Sequence, residues 1–418
     1  MLLQFTVENF QSIKNRTSID MVSVQGKGIS EFKDSLIKDR YLPVTAIYGP
    51  NGGGKTTLLR AFQTLQFLIG AHFNQIGGIQ LNRTLLPIPV SPFKFDKECL
   101  AKPTIFEVQL EIKGIEYLYG ISILNNQIIE EFLLKKGFTT PIFERVDQKL
   151  SMWSEMANIV PGDIVSKVAP GMPFVVFIKS LYTGFSAIDD VINWFLTTFY
   201  VDYNSPFQEQ DLLNNIYNYS RTEDKGAKVK VKILEMLKNM GIQITDYEVK
   251  ETPARIIAPS TIDFDIEITT MHTVGTQNFK LPLPAESNGT QKIFSLVPLF
   301  IASLETGRAI FIDELDAKLH PKLLEFIVKL YTCKETNPKG AQLIFTSHEL
   351  TTMNNKVFRR DEIYFIALVE GQHSELFSLV EIKGEDGKIV RKDATYNKQY
   401  LEGRYGADPY FTSMTGWR

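Results

Sequence analysis

The sequence has few of the residues that build metal clusters or disulfide frameworks. Its 418 residues include two cysteines and five histidines. Cys99 and Cys333 lie far apart and without metal-ligand spacing, so we expect inert thiols in a reduced, cytoplasmic protein. The scattered histidines predict no metal site. The first residues, MLLQFTVENF, lack the basic start and apolar run of a signal peptide, so no targeting segment is predicted.

Long hydrophobic runs and a large excess of one charge are also missing. The longest uncharged apolar run, IFSLVPLFIASL at residues 293–304, is too short to cross a bilayer and predicts a buried helix. A formal net charge of −3 excludes a polycation built to coat nucleic acid, although it leaves a local basic patch open. With 44% hydrophobic and 22% charged residues, the composition predicts one large or two medium globular domains.

Glycine is concentrated directly after a short apolar run. The segment VTAIY, Val44–Tyr48, predicts a strand, and the following GPNGGGKT matches the phosphate-binding pattern G-x-x-x-x-G-K-[ST]. The next residues, TTLLRAFQTLQFLIG, have helical spacing. Because glycines let backbone N–H groups turn towards phosphate oxygens at a helix N-terminus, this order favours a nucleotide site over an accidental glycine-rich turn.

The phosphate-binding pattern assigns roles to particular side chains. Lys55 is expected to reach the β- and γ-phosphates of ATP as a point charge, and the Thr56 hydroxyl is expected to bind Mg²⁺. The predicted nucleotide-binding residues of this loop are Asn51, Gly52, Gly53, Gly54, Lys55, Thr56 and Thr57.

Two acidic residues end a second apolar segment. Residues 309–312 predict a strand, and Asp313 and Glu314 follow it. At the carboxyl end of a parallel strand, Asp313 is expected to hold Mg²⁺ through its water shell. Glu314 is expected to polarise the attacking water as general base. The alternative for this pair is a solvated acidic turn.

A histidine follows a third apolar segment, residues 342–345. Histidine after a strand is more often structural than catalytic. The spacing from Glu314, however, fits one helix and one strand, which places this segment on the next strand of a doubly wound sheet. We therefore expect His348 to reach the γ-phosphate.

Polar residues are crowded at one predicted helix start, PAESNGTQKIFSL at residues 284–296. A cap alone needs fewer of them. We expect Ser287, Asn288 and Gly289 to present a hydroxyl and N–H groups to the γ-phosphate held by a second subunit, helped by the helix dipole. The alternative is a well-capped core helix.

Four motifs together resemble those of an ABC-type ATPase head: GPNGGGKT, ESNGTQK, FIDELDAKLHP and FTSHE. More narrowly, the chain is similar to the SMC-related AAA ATPases grouped with the OLD nucleases and RloA. FTVENFQSIKN, RRDEIYFIALVEGQHSELFSL and YNKQYLEGRYGADPY add to this similarity, which covers roughly residues 1–140 and 280–410. It makes Asp316 the D-loop aspartate. The form Ser-Asn-Gly-Thr-Gln differs from the Leu-Ser-Gly-Gly-Gln of transporters and argues against a transport ATPase.

The resemblance also implies a biological setting. Such ATPases dimerise on ATP, and phage-defence systems use them, among them the abortive-infection AbiL type and the AriA subunit of PARIS. We expect a homodimer or higher homo-oligomer that holds a separate effector, a TOPRIM-type nuclease or toxin, with a phage protein or nucleic acid as trigger and no membrane. The stretch after His348 is too short for a TOPRIM domain, so any cleavage of nucleic acid or tRNA is expected from another chain. A RecF-like DNA repair ATPase and a scaffold with structural ATP are the alternatives.

The fold class predicted is α/β, an ABC-type P-loop ATPase head with a mixed sheet, an antiparallel β subdomain and a helical insertion. Residues 1–145 form its N-terminal half, in which hairpins turn at Gly114 and at Asn125-Asn126. Residues 146–250 form the insertion, a lid or docking region in which DDVINWFLTTF, DLLNNIYNY and VKVKILEMLKNMG have helical spacing. Residues 251–418 complete the head. Neither Gln109 nor Gln127 stands out as a glutamine-loop residue.

Overall fold

The computed structural model describes residues 1–24, 41–77, 90–147, 149–202, 223–253, 264–369, 372–383, 389–391 and 394–407. Its strands are β1 (Leu2–Glu8), β2 (Thr17–Asp20), β3 (Val44–Tyr48), β4 (Thr104–Ile112), β5 (Ile115–Leu124), β6 (Gln127–Lys135), β7 (Phe143–Val146), β8 (Lys149–Met152), β9 (Phe199–Asp202), β10 (Asp246–Pro253), β11 (Phe264–Val274), β12 (Gln277–Pro282), β13 (Ala309–Asp313), β14 (Gln342–Thr346), β15 (Ile363–Leu368) and β16 (Ser374–Ser378). Its α-helices are α1 (Lys55–Gly77), α2 (Lys97–Leu100), α3 (Ser154–Ala157), α4 (Phe174–Leu181), α5 (Ser186–Thr197), α6 (Glu223–Asn239), α7 (Asn288–Thr306), α8 (Pro321–Thr332) and α9 (Tyr396–Leu401).

The central sheet has six strands in the order β16-β15-β3-β14-β13-β9. All neighbours in it are parallel except β15 and β16. Every residue of β3, β13 and β14 is buried, as expected for a parallel sheet covered on both faces. The predicted pairing of β14 with the acidic strand β13 is confirmed. The carboxyl ends of β3, β13 and β14 therefore meet at one edge of the sheet, where ligands bind in α/β folds.

Successive residues of the central strands belong to two hydrophobic clusters, one on each face of the sheet. Phe311 of β13 stacks on Phe62 of α1 with 3.8 Å between ring centroids, and both belong to the first cluster. Ile310 and Ile312 point the other way, into the second cluster with α7 and α8. The run at residues 293–304 is buried throughout within α7, so the prediction of a buried helix is confirmed.

A seven-stranded antiparallel sheet, in the order β2-β1-β4-β5-β6-β7-β8, covers the α1 side. Residues 104–112 of β4 alternate between buried and half-buried positions, the pattern of a sheet with one face in the core. The predicted hairpins are confirmed. Gly114 joins β4 to β5 with φ of 79°, and Asn125 and Asn126 join β5 to β6 with φ of 51° and 62°.

Residues of the predicted insertion contribute to both clusters. Helices α4 and α5 pack on α1, and Phe195 is fully buried in the first cluster. Strand β9 forms the edge of the central sheet, and α6 packs on α7. The segment DLLNNIYNY lies outside the described residues. Trp194 and Phe199, predicted as core rather than partner-site residues, pack against the first and the second cluster respectively.

A three-stranded antiparallel sheet, β10-β11-β12, precedes α7 and confirms that DFDIEITTMHT is a paired strand. At the other end of the chain, Tyr400 and Tyr405 pack on Phe365 of β15, with ring centroids 5.4 Å and 5.0 Å away. The part of the C-terminal segment that the structure describes therefore docks onto the central sheet. None of the described helices is long and apolar enough to span a membrane.

A buried acidic residue lies where β15 begins. Glu362 is 1% exposed, and its Oε2 accepts a hydrogen bond of 2.8 Å from the backbone N–H of Arg359. Its Oε1 is buried without a partner. Burial raises the pKa of the Glu362 carboxyl from 4.5 to about 8, and the nearby charges of Arg359 and Asp361 act in opposite directions. The folded protein therefore holds a proton here that the unfolded chain releases above pH 4.5.

This proton predicts a pH-dependent stability. Between pH 4.5 and pH 8 the folded state binds the extra proton, so the contribution of Glu362 to stability falls as pH rises, by at most about 1.4 kcal/mol per pH unit. We expect the melting temperature of Glu362→Gln to fall less than that of the wild type between pH 5 and pH 8, by a few degrees. The exposed Glu375→Gln serves as control and should track the wild type. Parallel melting curves for Glu362→Gln and wild type would contradict the assignment.

Candidate active site

The glycine loop connects β3 to α1 in a conformation that only glycine permits. Gly49 has φ of 156° and Gly54 has φ of 110°. A Cβ at Gly49 would lie 2.0 Å from the carbonyl oxygen of Ile366, and one at Gly54 would lie 2.2 Å from the hydroxyl of Ser374. The glycines therefore allow the loop to pack tightly against β15 and β16 while it turns into the N-terminus of α1.

Lys55 is the first residue of α1, and its side chain folds back over the loop. It is 6% exposed, and its ammonium donates hydrogen bonds to the carbonyl oxygens of Gly49 at 2.8 Å and Pro50 at 3.0 Å. Burial lowers the pKa of Lys55 to about 8, although Asp313, Glu314 and Asp316 act in the opposite direction. The loop thus encloses a cation beside the helix N-terminus, an arrangement that favours an anion.

The Asp313 carboxylate links the start of α1 to the backbone of Glu314 through Thr346. Asp313, 1% exposed, accepts a hydrogen bond from the Thr56 hydroxyl at 2.7 Å and another from the Thr346 hydroxyl at 2.6 Å. The Thr346 hydroxyl in turn accepts a hydrogen bond of 2.7 Å from the backbone N–H of Glu314. Three chain segments, the start of α1 and the ends of β13 and β14, are therefore joined around one carboxylate.

Glu314 follows β13 in a backbone conformation that is unusual for its residue type. Its φ is 49°, in the left-handed region. The Thr346 hydroxyl fixes its N–H, and the Lys292 ammonium fixes its carbonyl oxygen at 2.7 Å. Strain of this kind persists when the surroundings hold the backbone, and here it occurs at a half-buried acidic residue at the sheet edge.

Asp316 and His348 are joined across the same edge. The backbone N–H of His348 donates a hydrogen bond of 3.1 Å to Asp316 Oδ2. Asp316 Oδ1, by contrast, is buried without a hydrogen-bond partner. The pKa of His348 is lowered, first by burial and then by the positive charge of Lys55. His348 therefore lies within electrostatic reach of Lys55, and both burial and this charge favour its neutral imidazole.

The polar helix start at residues 286–292 divides its contacts between several partners. Ser287 caps α7, since its hydroxyl accepts from the Thr290 N–H at 3.2 Å and lies 2.9 Å from the Thr290 hydroxyl. A Cβ at Gly289 would lie 2.8 Å from the carbonyl oxygen of Lys318. Ser287 and Asn288 are exposed. The cap thus explains part of the polarity, and the tip of α7 stays open to solvent in the single chain.

Lys292 is a site residue that the sequence analysis missed. It is 6% exposed, and its ammonium donates to the carbonyl oxygens of Glu314 at 2.7 Å and Ala317 at 3.0 Å. Burial lowers its pKa to about 8, with Asp316 the largest opposing influence. The lysine fastens α7 to the segment after β13. A charge at the border of the apolar run in QKIFSLV was the available signal.

Asp202 was also missed. It ends β9 directly beside Asp313, is 3% exposed, and pairs with Arg60 of α1 at 3.4 Å. Its strand is short and lies far along the chain, so no spacing rule points to it. Gln109 and Gln127 lie on β4 and β6 of the antiparallel sheet and take no part in this edge.

The oxygen atoms of Thr56 and Asp313 fit a divalent cation such as Mg²⁺. A hydroxyl and a carboxylate 2.7 Å apart are the hard oxygen donors that this ion prefers. No group of three or more His, Cys, Asp or Glu among the described residues is placed to hold a metal ion. An ion here would take its remaining ligands from phosphate oxygens and water.

Solved structures with a similar overall fold include an SMC head bound to the C-winged helix domain of ScpA (14% identity, 90% of this chain and 97% of that chain covered, TM-score 0.43) and the SMC head domain from Thermotoga maritima (16%, 90% and 98%, TM-score 0.41). A third is cbiO1 from Clostridium perfringens, part of the ABC transporter complex cbiONQ (12%, 97% and 92%, TM-score 0.32).

No curated protein matches the chain significantly. The family described as "AAA domain, putative AbiEii toxin, Type IV TA system" matches residues 44–158 and 188–354, which include the glycine loop, α7, β13 and His348. Because the match spans more than half of the chain and contains the whole site, the chain belongs to this AAA domain family.

Proposed function

We propose that the chain is an ATP-hydrolysing molecular switch that dimerises around two nucleotides. The observation that carries the proposal is the bridge from Thr56 through Asp313 and Thr346 to the backbone of Glu314. It connects a phosphate-binding loop to an acidic residue in one hydrogen-bonded unit. A pure binding site has no need of the second acid.

The side chains then take distinct roles. Lys55 exchanges its loop carbonyls for β- and γ-phosphate oxygens. Thr56 and Asp313 hold Mg²⁺, which supplies neutralisation of phosphate charge. Glu314 orients and polarises water, and His348 donates a hydrogen bond to the γ-phosphate. Chemistry of this kind depends on positioning and electrostatics rather than on covalent catalysis.

The open tip of α7 supports the dimer. Ser287, Asn288 and Gly289 lie at the N-terminus of a 19-residue helix whose dipole favours an anion. In the proposed dimer these three residues close on the γ-phosphate held by the partner, next to the D-loop that carries Asp316. ATP binding then sets the assembly, and hydrolysis resets it.

The family description and the motif resemblance support a role in defence. The description names a toxin and a toxin–antitoxin system, and the motifs resemble those of the OLD, RloA and AbiL group that includes AriA. We propose that the switch holds a separate TOPRIM-type nuclease or other toxic effector and releases it when a phage protein or nucleic acid is sensed. Stimulation of ATP hydrolysis by DNA alone, in a salt-dependent manner, would favour the RecF-like alternative instead.

A subunit-mixing experiment tests the shared site. Lys55→Ala and Ser287→Arg should each be inactive alone, because each dimer then lacks one part of both sites. Mixing them in equal amounts should restore about a quarter of wild-type ATP hydrolysis, since half of random dimers are mixed and each has one intact site. Lys55→Ala mixed with the Lys55→Ala/Ser287→Arg double variant is the control and should stay inactive. Absence of recovery in the first mixture would refute the shared site.

A further inference from the structure

The three-stranded sheet is fastened to the start of α7 by one buried carboxylate. Glu286 has an 8% exposed side chain. Its Oε1 accepts from the Thr270 hydroxyl at 2.5 Å and lies 2.6 Å from His272 Nε2. Thr270 and His272 both belong to β11, the central strand of the sheet. The carboxylate therefore fixes the residue before the helix cap to the middle of the small sheet.

The backbone of the same residue is fastened to the helix. The carbonyl oxygen of Glu286 accepts a hydrogen bond of 2.7 Å from the side-chain amide of Gln291. The same amide donates to the carbonyl oxygen of Pro284 at 3.2 Å. The next residue is Ser287, the cap of α7. Glu286 is therefore held from both sides, one residue before the cap of α7.

Further contact between sheet and helix is apolar. Tyr247 of β10 packs edge-on against Phe294 of α7, with ring centroids 5.2 Å apart. The outer strand β12 is exposed along residues 277–280, and Phe279 there is 51% exposed. The sheet thus has one anchored side, facing α7, and one open side.

We propose that Glu286 is a positioning residue through which the three-stranded sheet controls the closing of the ATP dimer. The inference rests on the proposed role of Ser287 and Gly289 in the partner's site. Through Glu286 the sheet holds the helix tip in the geometry that meets a γ-phosphate. The surplus polarity of the ESNGTQK stretch is then divided between anchoring, by Glu286 and Gln291, and phosphate recognition, by the tip.

The test measures assembly and nucleotide binding separately, in full-length chains that also carry Glu314→Gln to prevent turnover. Glu286→Ala should raise the ATP concentration needed for half-maximal dimer formation about tenfold, the effect expected for losing a hydrogen-bonded buried carboxylate. ATP affinity of the monomer, measured below the dimerisation concentration, should stay within about twofold. Glu286→Gln keeps one acceptor oxygen and should recover part of the loss.

Two further variants guard against trivial explanations. His272→Gln leaves the carboxylate and changes a side chain that is 30% exposed, so it should fold normally and shift assembly in the same direction as Glu286→Ala. Glu248→Ala removes a carboxylate that pairs with Lys280 on the same sheet, away from α7, and should leave assembly unchanged.

The outcomes separate this inference from the proposed function. If Ser287→Arg abolishes assembly while Glu286→Ala and His272→Gln assemble like the wild type, the control role of the sheet is overturned and the shared site stands. If Ser287→Arg also assembles normally on ATP, the shared site itself is wrong, and the inference falls with it.

Discussion

Glu314→Gln is expected to lower ATP turnover by at least about a hundredfold while leaving ATP binding intact, since a general base contributes on the order of 10² to 10⁴. The amide is nearly the same size as the carboxylate but cannot take a proton from water. The backbone links of this position, from its N–H to Thr346 and from Lys292 to its carbonyl oxygen, do not involve the side chain and should persist. The variant should therefore retain ATP and accumulate as a dimer.

The measurement compares phosphate release with dimer mass at saturating ATP and Mg²⁺. Glu325→Gln is a matched control, because Glu325 lies on the neighbouring helix α8 and pairs with Lys329 on the surface. It should hydrolyse ATP at the wild-type rate. Normal turnover by Glu314→Gln would exclude this residue as the base and favour a scaffold in which ATP is structural.

Lys55→Ala is expected to abolish ATP binding, with a loss of affinity of at least about a hundredfold. The reason is geometric, because hydrogen bonds of 2.8 and 3.0 Å to the loop carbonyls already hold the ammonium within the loop. A buried charge–phosphate contact contributes roughly 2 to 5 kcal/mol or more when one partner is removed. Without nucleotide the variant should fold normally, since the substitution removes only two hydrogen bonds, both to carbonyl oxygens of the loop.

Thermal unfolding with and without ATP tests this directly. At a hundred times the dissociation constant, a ligand stabilises the native state by about 2.7 kcal/mol, so the wild type should melt several degrees higher with ATP. Lys55→Ala should show no such shift. Lys322→Ala changes an exposed lysine at the start of α8 and should behave as the wild type. An ATP-induced shift in Lys55→Ala equal to that of the wild type would rule out the assigned role of Lys55.

Local sequence patterns were enough to predict the central elements. The apolar run, glycines and Lys-Thr of residues 44–56 predict a strand, a loop and a helix start, because each depends on neighbours in the chain. The same holds for the buried strand before Asp313 and for the buried helix at residues 293–304. Their pairing in one parallel sheet follows from the spacing of strand and helix segments.

Contacts between distant segments could not be predicted in this way. Asp202 lies beside Asp313 only because the short strand β9 inserts at the edge of the sheet. Lys292 reaches the carbonyl of Glu314 only once α7 crosses the end of β13. Glu286 meets His272 only when β11 lies against the helix start. Neither the spacing of residues in the sequence nor their type indicates these contacts.

The amino-acid sequence by itself determined which chemistry this protein carries: a glycine loop with its lysine and threonine, two acids after a strand, and a polar helix start. The tertiary structure decided how these groups are held, through Thr346, Lys292 and Glu286, and which of them stay open. The physical reason is that propensity and hydrophobic period act over a few neighbouring residues. A side-chain hydrogen bond between distant segments forms only after the whole sheet and its helices have packed.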